Sequence, residues 1–554
     1  MCSSDLDLII TSDTLYQLSY FGNKGTGPFR GANIGKIFEK QNPGRRFLRQ
    51  TGIFLLYSHQ KPSRMITFLV CLSLLVGAYF TYGRYLARLA GIDRANPVPS
   101  ATRFDGVDYV PLPGWKIFLI QLLNIAGLGP IFGAVLGAAY GPVAFVWITL
   151  GGILMGGMHD FFSGVLSLRH GGESLPGLTG RYLGDGARRA MSLFTVALLV
   201  LVGAVFLSQP AEMIAARIDA PALAGAAFGN FSWLLLGVLG AILLYYVLAT
   251  LLPIDRIIGR LYPVFGVVLL VMALGILTVL LLHPARYAIP ELTSLHNFHG
   301  DAARFPIMPT LFTTIACGAI SGFHATQSPL MARCITDERQ CRPIFYGAMI
   351  AESIIALIWA AAAMAFWGGA TGLNEALAGV GGAAGVLVDR IAQGTLPGWL
   401  ATLVVVGVIA CAVTSGDTAF RSARLMVADI AGLEQRGLGR RLAISLPLFA
   451  AGLVLIFCLP FGAIWNYFAW ANQALATVTL WAVAVWLRRR GRTILPALLP
   501  ALVMTYVSTS YIFVSPLMCG MRNRVAAYAL GAAATCAVLA LMAKKLRKNG
   551  KTDA

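Results

Sequence analysis

Ionisable residues inside strongly apolar segments are the first sign of chemistry in this sequence. His159 and Asp160 are adjacent in one such segment, and His324 lies in another. A charged side chain at the bilayer centre costs about 2.5–3.5 kcal/mol on insertion scales, so it needs a partner or a function. Because imidazole titrates near pH ~6.5, these residues predict a proton relay; the alternative is a structural polar cluster anchored by Arg169. Adjacent residues lie about 100° apart around a helix, so we do not expect His159 and Asp160 to pair directly.

A second group of polar residues offers oxygen ligands. Thr414, Ser415, Asp417 and Thr418 follow an apolar run, and their oxygens suit a monovalent cation, while Asp417 can also take up a proton. The alternative is the C-terminal end of a helix, where Asp417 forms an ion pair with Arg421 four residues later. The sequence leaves both interpretations open.

Other polar residues in apolar surroundings give weaker signals. Glu352 is flanked by apolar residues, which predicts burial without identifying a partner; Asn466, Asn472 and Gln473 fit either a cavity lining or interhelical hydrogen bonds. The sequence contains no GxSxG, GxxxxGK[ST] or HExxH motif, and its nine cysteines show no CxxC or Cys/His ligand spacing. We therefore expect no enzyme, no cofactor, no metal site and no disulfide framework.

The composition places these residues in membrane-spanning helices. The chain has 554 residues, of which 57% are hydrophobic and only 12% charged, and its mean hydropathy is +0.72. Soluble domains carry about 25% charged residues, so we predict an all-α polytopic membrane protein with the lipid bilayer as a partner. The formal net charge of +19 does not indicate nucleic acid, because in a membrane chain the position of each Lys and Arg matters more than their sum.

One apolar segment, 115–140, contains helix-breaking residues near its middle. Gly127, Gly129 and Pro130 lie in the stretch Gln121–Phe132. Gly weakens a helix by about 1 kcal/mol and Pro by about 3 kcal/mol. A helix broken at membrane depth leaves backbone groups that only protein or a water-lined cavity can satisfy, and transporters bind substrates and ions at such breaks.

A second segment, 308–330, is interrupted in the same way. It contains Gly318, Ser321 and Gly322, with Gln327 close behind. It lies five spans after the first interrupted segment. Because successive spans alternate in direction and five is an odd number, the two segments cross the membrane in opposite directions. This pattern predicts two discontinuous helices in an inverted five-plus-five repeat, with the site between the breaks. The alternative is a pair of kinks that only allow close helix packing.

Apolar runs predict about thirteen transmembrane helices. They cover roughly 65–83, 115–140, 142–166, 190–209, 231–252, 261–283, 308–330, 344–367, 396–414, 443–461, 466–487, 494–515 and 523–542. Lys and Arg residues concentrate after the odd-numbered spans and in the tail, which predicts a cytoplasmic C-terminus. The predicted organisation has four parts. A first span with a cytoplasmic loop covers 65–114, and core repeat 1 covers 115–283. Core repeat 2 covers 308–490, and two peripheral spans with a basic tail cover 491–554.

Residues 1–64 differ from the rest of the chain. They are polar, lack a sustained helical or strand period, and carry nine Lys/Arg against four Asp/Glu. If the first span starts outside the cell, this basic stretch would have to be translocated. We expect an extension that is disordered or results from a mis-assigned start, with Met65 as the natural first residue.

Several motifs together resemble the carbon-starvation protein (CstA) family, in its short form. The resemblance runs from about Met65 to about Arg490, keeps its order and is looser over the last two spans. The matching motifs are Asn96–Pro111, Ile125–Ile131, Met158–Phe161, Ser321–His324, Thr414–Asp417 with Arg421 and Arg424, and Ala471–Gln473.

This resemblance implies a multi-pass secondary transporter of the bacterial inner membrane. It would import peptides or pyruvate-like carboxylates during carbon starvation, with protons. The family is grouped with the amino acid–polyamine–organocation superfamily, in which a cation site lies between the first broken helix and the eighth core helix. By position, these are Ala126 to Gly129 and Thr414 to Asp417 here.

Together these arguments give two sets of expected site residues. The substrate set is Gly127, Leu128, Gly129, Pro130, Gly318, Ser321, Gly322 and Gln327, and the set for the coupling H⁺ or Na⁺ is Ala126, Thr414, Ser415, Asp417, His159, Asp160 and His324. A membrane nutrient sensor with a transporter-like core, or a passive channel, is the alternative function. The sequence chooses neither between peptide and pyruvate nor between oligomeric states.

Overall fold

The computed structural model describes residues 65–106, 109–223, 225–228, 231–251, 254–433 and 437–547. Predictions about residues 1–64 therefore lie outside the described residues. The described part is helical, as expected, apart from one short antiparallel strand pair in the connection after α9, formed by β1 (Ala226–Phe228) and β2 (Phe231–Ser232).

The helices follow the apolar segments of the sequence and add several shorter elements between them. In chain order they are α1 (Ile66–Phe80), α2 (Tyr82–Ala90), α3 (Pro99–Thr102), α4 (Gly114–Ile125), α5 (Ala134–Ala138), α6 (Val143–Leu150), α7 (Gly157–Arg169), α8 (Leu175–Leu183), α9 (Asp185–Ala215), α10 (Trp233–Leu251), α11 (Ile254–Leu282), α12 (Phe312–Thr314), α13 (Gly322–Ala332), α14 (Gly347–Phe366), α15 (Ala370–Gly379), α16 (Ala384–Thr395), α17 (Gly398–Ala431), α18 (Leu438–Cys458), α19 (Phe461–Arg489), α20 (Leu495–Val514) and α21 (Arg524–Arg547). Wider π-helical turns precede α5, α7, α12 and α14, at Gly129–Gly133, Gly151–Gly156, Ile307–Leu311 and Arg342–Tyr346.

The number of spanning helices is close to the prediction but not equal to it. Among the described residues, eleven helical segments are long and apolar enough to cross a membrane, or twelve if α4 and the bent helix after it count as one span. The chain is therefore a multi-pass membrane protein. The predicted span 308–330 is not among them, because it consists of two short helical pieces. The total of thirteen and the inverted repeat remain predictions.

Two predicted spans are shorter than the helices in the structure. The span predicted at 190–209 is α9, which has 31 residues, and the span predicted to end at 414 is α17, which continues to Ala431. Hydropathy falls after residue 414 because polar residues follow, yet most of them are buried inside the protein. Asp417 therefore lies within a helix and not at its end.

The helices divide into a buried core and an exposed periphery. Most side chains of α14 and α19 are buried, whereas α1, α10, α18 and α21 expose most of theirs. The exposed side chains include large apolar ones such as Val525 and Leu541 of α21. We interpret these surfaces as lipid-facing, because apolar side chains on a spanning helix need no protein cover in hydrocarbon.

Candidate functional site

The first helix break separates α4 from the π-helical turn that begins at Gly129. Ala126, at the end of α4, has a non-helical ψ of 45°, and the axis bends by 54° across the break. The backbone N–H groups of Gly127 and Leu128 donate no hydrogen bond to any described residue. Pro130 lies at the start of the next helical turn, where its missing N–H costs no hydrogen bond. The predicted break is confirmed, and it leaves backbone donors free in the core.

The second break runs from Ile315 to Ser321. Gly318 has φ +88°, a left-handed conformation that favours glycine, and its N–H donates to Oε1 of Glu352 at 3.1 Å. The chain returns to helix at Gly322, where α13 begins. Both interrupted segments are therefore discontinuous, as the sequence predicts.

The two breaks lie in direct contact. A Cβ atom placed on Gly129 would lie 2.3 Å from the Cβ and Sγ atoms of Cys317, and one on Gly318 would lie 3.8 Å from Cα of Pro130. A Cβ on Gly133 would lie 3.0 Å from the carbonyl oxygen of Thr314. Glycines on one side thus allow the backbones of both breaks to meet.

Four ionisable side chains form a buried cluster beside the second break. His159 Nδ1 lies 2.7 Å from Oδ1 of Asp160, and His324 Nδ1 lies 2.8 Å from Oδ2 of the same carboxylate. His324 Nε2 lies 3.4 Å from Oε2 of Glu352. All four side chains have zero exposure. The prediction that His159 and Asp160 do not pair is wrong, because both side chains extend sideways into the contact between α7 and α13.

An asparagine from α19 satisfies the start of α13. Oδ1 of Asn472 accepts hydrogen bonds from the Phe323 N–H at 2.9 Å and the Ser321 hydroxyl at 3.2 Å. One turn further, Gln327 donates to Thr326 at 2.9 Å, while its Oε1 has no partner among the described residues. The N–H groups of Gly318, Ile320 and Phe323 are thus paired with protein, whereas those of Cys317 and Ser321, like those of Gly127 and Leu128, donate no hydrogen bond to any described residue.

Helix α17 packs against the first break. The Ser415 hydroxyl donates to the carbonyl of Leu123 at 3.3 Å, and a Cβ on Gly127 would lie 3.1 Å from that hydroxyl. Thr414 bonds to carbonyls of its own helix. The structure therefore places Ser415 at the break, next to the predicted ion site.

Asp417 lies further along α17 and is paired. Its Oδ2 lies 3.5 Å from Nη2 of Arg421 and accepts a hydrogen bond from the Tyr262 hydroxyl at 3.3 Å. Arg421 also donates to the carbonyl of Ala249 at 2.9 Å. The ion pair that the sequence left as an alternative is present.

Two cavities approach the breaks from opposite sides. A cavity of about 340 Å³ is lined by residues that flank the breaks, including Leu136, Tyr140, Thr310 and Thr314. A larger one, of about 880 Å³, lies beyond α7 and α13. It contains five arginines and three carboxylates: Arg103, Arg181, Arg188, Arg189, Arg333, Glu173, Asp185 and Asp429. The larger cavity is therefore rich in arginine, and the smaller one lies next to the breaks.

One trio of side chains is close enough to consider for a metal ion. Ligand atoms of Cys317, His324 and Glu352 lie within 4.8 Å of one another, and they form the one such group among the described residues. The 3.4 Å approach of His324 Nε2 to Glu352 is already that of an imidazolium–carboxylate contact. We therefore treat the trio as part of the buried ionisable cluster.

Sequence reasoning missed several residues of this centre. Gln121 and Asn124, in the last two turns before the first break, are buried, and none of their side-chain polar atoms has a partner among the described residues. Cys317 was counted only among the nine cysteines without ligand spacing, and Glu352 had no assigned partner. The signal available in the sequence was a pair of amide side chains, at 121 and 124. They lie three residues apart in an apolar helix that ends in a break.

Comparison with known proteins places the chain in a family. Residues 63–224 and 213–381 match the model of the family described as carbon starvation protein CstA. An uncharacterized membrane protein of Haemophilus influenzae is 42% identical over 349 residues, which cover 56% of this chain and 94% of that protein.

Two relatives from Escherichia coli carry functional names. The peptide transporter CstA is 27% identical over 355 residues, covering 52% of this chain and 48% of that protein. The pyruvate/proton symporter BtsT is 27% identical over 346 residues, covering 51% of this chain and 46% of that protein. The chain thus spans about half the length of these two relatives.

A solved structure shares the fold. The crystal structure of MhsT in complex with L-phenylalanine superposes with a TM-score of 0.51 at 13% identity, covering 77% of this chain and 98% of that one. MhsT has the LeuT fold. The regions that match the family model make up more than half of the sequence, and the chain therefore belongs to the carbon starvation protein CstA family.

Proposed function

We propose that this chain is a secondary active transporter of the bacterial inner membrane, with its C-terminus in the cytoplasm. It imports peptides or pyruvate-like small carboxylates during carbon starvation, in symport with protons. The observation that carries the proposal is the direct contact between two broken helices at Gly129 and Cys317. A break at membrane depth must be covered by protein or line a cavity, and here each break helps to cover the other.

The proposed substrate site is the contact between the breaks. The free N–H groups of Gly127 and Leu128 precede a helical turn, and half-helix N-termini attract carboxylates. Leu128, Gly129 and Pro130 then shape one wall, and the residues of the second break and α13 shape the other: Gly318, Ser321, Gly322 and Gln327.

The coupling ion has two candidate positions. One is the contact of Ala126 with α17, where Thr414 and Ser415 offer hydroxyls and Asp417 offers a carboxylate. The other is the buried cluster that contains His159, Asp160 and His324. Both lie beside a break, so ion binding at either position can bias the arrangement of the broken helices.

The test is uptake by purified protein in proteoliposomes. Labelled pyruvate and a labelled dipeptide are offered separately under an imposed inward proton gradient, an inward sodium gradient, or neither, with protein-free liposomes as the control. We expect accumulation of one probe above equilibrium with the proton gradient, and competition by the unlabelled compound. Failure of both probes to accumulate under either gradient would contradict the proposed function.

A further inference from the structure

The ionisable cluster beside the second break joins three helices. Asp160 comes from α7, His324 from the first turn of α13, and Glu352 from the second turn of α14. Asp160 accepts from two imidazoles, one on each carboxylate oxygen, and His324 contacts a carboxylate with each ring nitrogen. His159, Asp160 and His324 are therefore joined by hydrogen bonds, and a 3.4 Å ion-pair contact extends this chain to Glu352.

Protons must balance the charge of this cluster. With both carboxylates ionised and both imidazoles neutral, the cluster carries two negative charges, and two further protons make it neutral. None of the hydrogen bonds and ion pairs of these four side chains to described residues involves a Lys or Arg. Because burying an uncompensated charge is costly, proton uptake and not a fixed cation neutralises it.

The surroundings of the cluster hold two further titratable groups. The Sγ atom of Cys317 in the second break lies within 4.8 Å of ligand atoms of His324 and Glu352, and the Cys411 thiol of α17 donates to the carbonyl of Ala126 at 3.0 Å. Both thiols are neutral donors in such buried surroundings, so they add no counter-charge. By contrast, Asp417 has Arg421 as a fixed partner and needs no proton to balance it.

The cluster is also coupled to the backbone of the break. Oε1 of Glu352 holds the Gly318 N–H, and Gly318 is the residue with positive φ in that break. The turn that precedes α7 also touches this break. A Cβ on Gly156, the last residue of that turn, would lie 2.2 Å from the carbonyl oxygen of Ala319, so the turn lies directly against the same backbone. A change in the charge of Glu352 therefore acts on the hydrogen bond that fixes the break.

A polar stripe leads from the cluster towards the basic cavity. Asp160, Ser163, Ser167 and His170 follow one another at spacings of three, four and three residues, so they share one face of α7 and its end. The Ser163 hydroxyl lies 3.1 Å from that of Ser328 on α13. His170 lines the 880 Å³ cavity, and burial lowers its pKa, so it is neutral at neutral pH and can both accept and donate a proton.

We propose that Glu352 carries the coupling proton together with His324, which is hydrogen-bonded to Asp160, and that the presence of this proton sets the geometry of the second break. The inference rests on the proposed function and selects one of its two ion positions. A proton from one side of the membrane forms the O–H bond of Glu352, or is shared with Nε2 of His324. The same proton leaves to the other side along the stripe on α7, so protons and charge balance over a cycle.

The test compares Glu352→Gln with wild type in two transport modes. Glutamine keeps the acceptor for the Gly318 N–H but cannot carry a proton. A pH gradient of one unit can drive about tenfold accumulation per symported proton, so we expect about tenfold for wild type and about onefold for the variant. Exchange of labelled for unlabelled probe, which needs no net proton movement, is retained. Glu212→Gln, at a carboxylate of α9 that bonds to Gln209, is the matched control and accumulates like wild type.

A second measurement does not depend on the substrate. Infrared difference spectra of the purified protein, recorded as the pH is changed, should contain the C=O stretch of a protonated carboxylic acid that disappears in Glu352→Gln. If Glu352→Gln does not fold, Asp160→Asn replaces it in the transport assay, with the same expected loss of accumulation. Wild-type accumulation by Glu352→Gln, or an unchanged infrared band, overturns the inference. If wild type transports neither probe, the proposed function fails, and the infrared band alone decides whether the cluster takes up a proton.

Discussion

Replacing Gly129 by Ala tests the contact on which the site depends. The added Cβ would lie 2.3 Å from both Cβ and Sγ of Cys317, whereas carbon atoms in contact lie about 3.5–4.0 Å apart. The two breaks must therefore separate by more than an ångström. Overpacking of this kind costs about 1–3 kcal/mol, which is about a fivefold to 150-fold change in an equilibrium constant.

The assay is the apparent Tm of the purified protein at one fixed scan rate, together with uptake. We expect Gly129→Ala to lower the Tm by several degrees and to reduce uptake. Gly77→Ala is the control, because Gly77 lies in exposed α1 with nothing within 4 Å of its added Cβ. Its expected effect is slight stabilisation, since Ala favours a helix by up to about 1 kcal/mol over Gly.

A double variant provides the decisive comparison. Cys317→Gly removes both atoms that the new Cβ would meet, and the next contact, with the Cα atom of Cys317, is an ordinary 3.7 Å. In a double-mutant cycle, the two substitutions should therefore offset each other. If Gly129→Ala is as stable as the control, or if Cys317→Gly gives no rescue, the breaks do not touch as described.

Three further predictions concern contacts that position the core. Glu338→Gln leaves the nearly buried Arg169 without its charged partner at 2.6 Å, so we expect a loss of about 3–5 kcal/mol, seen as a lower Tm. Asn472→Ala removes the acceptor of the Phe323 N–H and should cost about 1–3 kcal/mol, seen as a lower Tm in the same assay. Burial raises the pKa of Glu291, but hydrogen bonds from the first residues of α1 outweigh it and leave the pKa below its ordinary 4.5. Its stabilising effect is therefore present above pH 4.5 and is lost as the pH falls through the lowered value, so the Tm difference between wild type and Glu291→Gln should shrink there.

The sequence predicted the breaks because their cause is local. Gly127, Gly129 and Pro130 weaken any helix that contains them, and the same holds for Gly318 and Gly322. The membrane class and most spans follow from hydropathy for the same reason. The contact between the breaks could not be predicted from these residues, since it depends on how separate helices pack.

Partners of buried polar residues were harder to predict. Glu352 meets Gly318 and His324, which lie 34 and 28 residues earlier, and no periodicity links such distant positions. The pairing of His159 with Asp160 was excluded on the angle between Cβ atoms, although an imidazole can swing along the helix surface to reach its neighbour. For Asp417, polar residues ended the predicted span early, because hydropathy cannot distinguish water from a paired interior.

If the chain imports a carboxylate as proposed, the arginines of the 880 Å³ cavity bear on how that carboxylate leaves the protein. A concave surface with more arginines than carboxylates concentrates small anions from solution, and dissolved salt weakens that attraction within a Debye length of about 10 Å at 0.1 M. A carboxylate departing through this chamber would be retained longest in dilute buffer. Turnover measured at low ionic strength would then report escape from the chamber, and turnover at the salt concentration of the cell would report the conformational cycle.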